Sequence, residues 1–163
     1  MAKIIGGTTS TTMRVPKEWE EIEDITIAED TASNTTNTNK NYTEVFVECV
    51  LDVTFEPSDG TSKSINFNVG RYGSVVTRNV ISVKSGEKVY FRAHGYLSPS
   101  KTTIYDTTAG KLKYLGNMVR NCNDYSTKNY DQFKQIYVSV GADKNVGVTP
   151  VMCAGSTIKI WGR

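Results

Sequence analysis

Between residues 44 and 56 every odd position is apolar: Val45, Val47, Cys49, Leu51, Val53 and Phe55. The even positions are mostly polar, with Glu44, Glu48, Asp52, Thr54 and Glu56 among them. A helix repeats every ~3.6 residues and would scatter this set around its circumference, whereas successive side chains of a strand point to opposite faces. The segment is therefore predicted as a long antiparallel strand with one dry and one wet face.

The same period recurs down the chain. Pro57-Ser58-Asp59-Gly60 is a turn sequence, after which Ile65, Phe67 and Val69 alternate, and Gly70 to Gly73 turns again. A β-branched run over 74–83 ends in Ile81 and Val83, Ser85-Gly86 makes the next tight turn, and Val89, Phe91 and Ala93 share one face. Thr102 to Tyr105, Leu112 to Leu115, Ile136 to Val140, Val148 to Cys153 and Thr157 to Trp161 supply further strands, about nine in all. No amphipathic helix pattern follows residue 43, which excludes a parallel sheet with crossover helices. With 38% of its 163 residues hydrophobic, the chain has material for one ordinary core. The expected class is all-β: an antiparallel two-sheet sandwich, jelly-roll-like, preceded by an extended N-terminal arm.

The arm is read from composition and charge. Residues 1–43 carry Lys3, Arg14, Lys17 and Lys40 against Glu18, Glu20, Glu21, Glu23, Asp24, Glu29 and Asp30, a net −3, leaving +5 for the remainder. Residues 6–12, Gly-Gly-Thr-Thr-Ser-Thr-Thr, have almost nothing to bury. Pro16 followed by acidic residues suggests a short helical turn over 17–24. Residues 31–43 hold 10 Ser, Thr or Asn in 13 positions, the composition of a linker or long exposed loop. The division expected is an anchoring arm and linker over 1–43 and a sandwich over 44–163, with the sandwich able to fold after deletion of 1–43.

Several function classes are disfavoured. A net charge of +2 does not suit binding driven by phosphate neutralisation, and no apolar run approaches the ~20 residues of a membrane span, so neither nucleic-acid binding nor membrane insertion is expected. The opening Met-Ala-Lys-Ile-Ile-Gly-Gly lacks the apolar stretch of a secretory signal, which suggests cytoplasmic synthesis and reduced thiols. Cys49, Cys122 and Cys153 are odd in number and lack C-x-x-C spacing, so neither a disulfide framework nor a zinc site is expected. His94 is the only histidine, without the companions that a catalytic triad or a metal site requires. No pair of carboxylates stands in a setting that suggests glycoside cleavage. Asn121 to Asp131 is rich in oxygen ligands but lacks the spacing of an EF-hand loop. The expectation is a protein that is not an enzyme and has no cofactor and no metal.

Contact residues are the remaining candidates. Tyr125 and Tyr130 lie in the polar 121–131 stretch, read either as a long exposed loop that contacts sugars or proteins or as a solvated connection with its tyrosines packed on the sandwich edge. Ile158 and Ile160 take one face of the last strand, which puts Trp161 on the other with Thr157, Lys159 and Arg163. A tryptophan there either meets a subunit or ligand or is covered by the arm.

Two stretches carry a resemblance. Lys3-Ile4-Ile5-Gly6-Gly7-Thr8-Thr9-Ser10-Thr11-Thr12-Met13-Arg14-Val15-Pro16, followed by Trp19, resembles the opening of structural proteins of tailed phages that infect Firmicutes, although two residues separate Pro16 from Trp19 where that pattern is tighter. Asn79 to Phe91, followed by Ile104-Tyr105-Asp106-Thr107-Thr108-Ala109-Gly110-Lys111-Leu112, is similar to a jelly-roll module of phage and gut-bacterial surface proteins that itself resembles carbohydrate-binding sandwiches. In that module the matching residues mark turns, here at Gly86 and Gly110, and no binding residue transfers. The resemblance implies a virion protein of the tail, baseplate, head-fibre or decoration type. Ile4, Ile5, Val15, Pro16 and Trp19 would anchor it to other virion proteins, and the sandwich would project outward. It also implies a homo-oligomer, a trimer being favoured, with host-surface carbohydrate as ligand. A purely structural subunit, or a glycan-active enzyme, is the alternative.

Overall fold

The computed structural model describes residues 18–71, 74–97, 102–111, 120–122, 127–129 and 133–163. Strands in chain order are β1 (Glu20–Thr26), β2 (Ser33–Tyr42), β3 (Glu44–Glu56), β4 (Lys63–Arg71), β5 (Ser74–Val83) and β6 (Glu87–Leu97). They continue with β7 (Thr102–Lys111), β8 (Arg120–Cys122), β9 (Thr127–Asn129), β10 (Phe133–Ala142), β11 (Thr149–Met152) and β12 (Thr157–Gly162). The larger sheet runs β1-β12-β3-β6-β7-β8, with β11 also on β3 and β9 also on β7; the smaller runs β2-β10-β4-β5. All pairings are antiparallel, and the two sheets pack face to face as a sandwich. Among the described residues there is no helix.

The period-2 reading of β3 is what the structure shows. Val45, Val47, Cys49, Leu51, Val53 and Phe55 are all buried against the smaller sheet's Ile65, Phe67, Val69, Ile136 and Val138. Burial, reinforced by the Glu48 charge, drives the Cys49 thiol far above its ordinary range, so it behaves as a core residue rather than a nucleophile. Val89, Phe91 and Ala93 point inward from β6 and Ile158 and Ile160 from β12, as their alternation requires. Gly60 and Gly86 turn with φ of +77° and +89°, which glycine adopts without steric cost.

Five expectations need correction. Residues 17–24 are not a helical turn where described: Glu20 onward is β1, the edge strand of the larger sheet, paired to β12. Residues 31–43 are not a linker: they contain β2, the edge strand of the smaller sheet, paired to β10 from Ser33–Ser139 to Tyr42–Phe133. Their polar composition does not prevent this, because ladder hydrogen bonds come from the backbone and β-branched threonine suits a pleated surface. Thr36 is buried opposite Ile136, and the Thr38 hydroxyl donates to the Phe133 carbonyl at 2.8 Å. The expected boundary after residue 43 therefore falls between two strands of the sandwich. Gly110 is not a turn, since β7 runs alongside β6 as far as the Lys111–Val89 pair. The 121–131 stretch is not wholly loop either, because β8 and β9 both pair with β7. Leu112 to Leu115 lies outside the described residues.

Where the chain ends meet, β12 closes on β1 and β3. Gly162 pairs with Glu20 on one side and Val45 on the other. A methyl group there would lie 2.7 Å from Tyr42 Cγ and 2.8 Å from Ile22 Cδ1, so the close approach of Tyr42 and Ile22 requires glycine.

Candidate functional site

The outward face of the larger sheet collects side chains that sequence alternation assigns to water. Because β1, β12, β3 and β6 are in antiparallel register, residues at matching heights form rows across the sheet. One row runs Glu21, Trp161, Phe46, His94. The next runs Asp24, Lys159, Glu48, Arg92.

The first row is aromatic. Trp161 and Phe46 lie with ring centroids 5.6 Å apart, and Trp19 meets Phe46 edge-on at 6.5 Å and His94 at 5.9 Å. His94 lies 5.6 Å from Tyr96, two residues further along β6. Phe46 is only 4% exposed although it projects from the outer side of the sheet, because the two tryptophans cover it. Tyr96 is 36% exposed, and Trp19, Trp161 and His94 are half-buried.

A charged clamp fastens this cluster. Glu44 bonds both His94, Nε2 to Oε1 at 2.5 Å, and Arg163, whose Nε donates to Oε2. The Arg163 guanidinium also donates to Glu18 at 2.8 Å and lies 5.0 Å over the Trp19 ring. Burial works against ionised Glu44, but hydrogen bonds from Arg163 and His94 outweigh it and hold the carboxyl below its ordinary range. The bond to Glu44 correspondingly strengthens protonation of Arg163. Further along the face, the Tyr90 hydroxyl donates to Glu48 at 3.0 Å, and burial together with the Glu48 charge pushes the phenol up to about 12. Backbone bonds between Arg163 and Glu44 complete the fastening of the C-terminal residue.

Of the residues singled out from sequence, Trp19 and Trp161 come together on this face, both packed on Phe46. Trp161 is covered in part by neighbours and in part open, so it is neither fully free nor fully buried. Ile4, Ile5, Val15 and Pro16 lie outside the described residues, as do Tyr125 and Tyr130. Sequence reasoning missed Phe46, Tyr96 and the association of His94 with Glu44. The signal for Phe46 was present: it is a large apolar residue on the even, polar side of β3. Among the described residues no three His, Cys, Asp or Glu side chains gather as metal ligands would. No described helix is long and apolar enough to cross a membrane.

Chemically, the arrangement offers ring faces and edges next to prepaired polar groups. Such a surface binds by stacking and by hydrogen bonds at its rim. No protein-family model matches the chain. No curated protein sequence matches it significantly. Among solved structures it is similar to the CBM2 module of the evolved Dit of Lactobacillus casei BL23 phage J-1, at 11% identity and a TM-score of 0.34, over 80% of this chain and 68% of that one.

Proposed function

We propose that the protein is a structural component of a tailed-phage virion whose sandwich presents the outer aromatic face of the larger sheet to a glycan of the host surface. The observation that carries this reading is the assembly of Trp19, Phe46, Trp161, His94 and Tyr96 on the side of the sheet away from the core. Aromatic rings on an outer face offer surface to be covered, and a ring row beside a row of polar groups suits a sugar, which has an apolar C–H side and a hydroxyl rim. The virion assignment is supported by the Lys3–Pro16 segment and its resemblance to phage structural proteins. In this reading Ile4, Ile5, Val15 and Pro16 dock onto other virion proteins, and Trp19 pins the start of the fold beside the binding face. A homotrimer multiplies weak single contacts by avidity.

One observation favours a second reading. Arg163 already stacks on Trp19, and Glu44 already holds both His94 and Arg163. A cluster so self-satisfied suits an assembly subunit with no host ligand, in which the rings only close the fold.

Immunogold electron microscopy of purified particles, using antibody against the folded protein, tests the virion assignment. Gold on particles, at tail or head, is the expected result. Particles without gold, from preparations in which the purified protein itself is labelled, overturn it.

A further inference from the structure

We infer that the saccharide this face takes is an uncharged one, a neutral hexose-based chain rather than a phosphate- or carboxylate-bearing polymer; the inference rests on the glycan-binding reading above. On the face, rings and charges are sorted into separate rows, and the charged row alternates in sign across the sheet: Asp24, Lys159, Glu48, Arg92. Lys159 Nζ lies 3.5 Å from Asp24, and Lys88 Nζ 3.6 Å from Asp52. At the other end, Arg163 is held between Glu44 and Glu18. Arg92 stands opposite Glu48 in the β3–β6 register.

Lys88, Lys159 and Arg163 on the described face are thus paired with carboxylates of the same face. A polyanion needs the reverse, cations converging without counter-charge so that their neutralisation releases ions. To bind here it would have to displace carboxylates from Lys88, Lys159 and Arg163 and then meet them as repulsive neighbours. A neutral sugar displaces nothing. Its C–H side lies on the open parts of Tyr96 and Trp161, and its hydroxyls reach carboxylate oxygens and ammonium hydrogens already held in place. Tyr96 and the His94 side chain, each 36% exposed, leave room beside the ring row.

The test titrates the full chain by calorimetry with uncharged gluco-, galacto- and rhamno-oligosaccharides and, separately, with polyglycerol phosphate, each at about 50 mM and about 0.5 M NaCl. The expected result is binding of an uncharged oligosaccharide whose Kd changes less than about twofold with salt, because no ion pair is formed on binding. In Tyr96→Ala, shown by its melting curve to be folded, that Kd weakens about tenfold, as for loss of one anchoring ring. Binding of polyglycerol phosphate alone, weakening at high salt, overturns the inference while leaving a polymer-binding face in place. Uncharged sugar bound equally well by Tyr96→Ala also overturns it, since the site then lies elsewhere. Binding of neither probe removes the glycan-binding reading and the inference with it.

Discussion

Glu44 holds two partners, His94 and Arg163, and its carboxyl lies below the ordinary range because those hydrogen bonds outweigh its burial. A carboxyl depressed by folding adds stability that is fully present above the unfolded value, about 4.3, and is lost as pH falls through the lower folded value. Thermal melts from pH 7 to pH 3 therefore show wild type above Glu44→Gln at neutral pH, with the gap closing as acid is added; a gap constant with pH contradicts this role. Gly162 gives a second residue-scale prediction. Gly162→Ala puts a methyl against Tyr42 and Ile22 in the packed seam and lowers stability by about 1–3 kcal/mol, read as a lower melting temperature. At this scale the sequence was partly legible. His94 lies on the face opposite Val89 and Phe91, as its even position in β6 requires, but nothing local shows that Glu44, fifty positions away, is its partner. Phe46 broke the polar pattern of β3, and its cover comes from Trp19 and Trp161, which only the closed sheet brings near.

β2 shows what composition conceals. Strands with an inward apolar set, such as β3, β4, β6 and β12, announce themselves by period because every second side chain is apolar and lies in the core. β2 is an edge strand built from Thr and Asn, held by its backbone pairing with β10 and by Thr38, so its polarity looked like a linker. β1 is also an edge, with acidic residues at Glu20, Glu21, Glu23 and Asp24; charge on an edge discourages pairing with other chains, but in sequence it resembled a helix start. Because both strands belong to the sheets, deletion of residues 1–43 removes Ile27 and Tyr42 from the core and two whole edges. The expected outcome in urea is loss of the cooperative transition, whereas a chain beginning at Glu18 keeps every described strand and unfolds in one step. Equal cooperativity in the two truncations contradicts the placement of β1 and β2.

Taken whole, the molecule brings the start and the end of its described chain to one place. Glu18 and Trp19 meet Arg163 on the outer face of the larger sheet, next to the ring row. Under the proposed function the virion-anchoring segment enters the fold beside the surface that meets the host, where Glu44 holds His94 and Arg163 together. The most direct test of this claim is competition for adsorption. Purified protein is added to host bacteria before the phage, and unadsorbed particles are counted. The wild-type chain lowers adsorption, and Tyr96→Ala, folded to the same melting temperature, competes at least about tenfold less well. A Tyr96→Ala protein that blocks adsorption as well as wild type, or a wild-type protein that blocks none, contradicts the role assigned to the aromatic face.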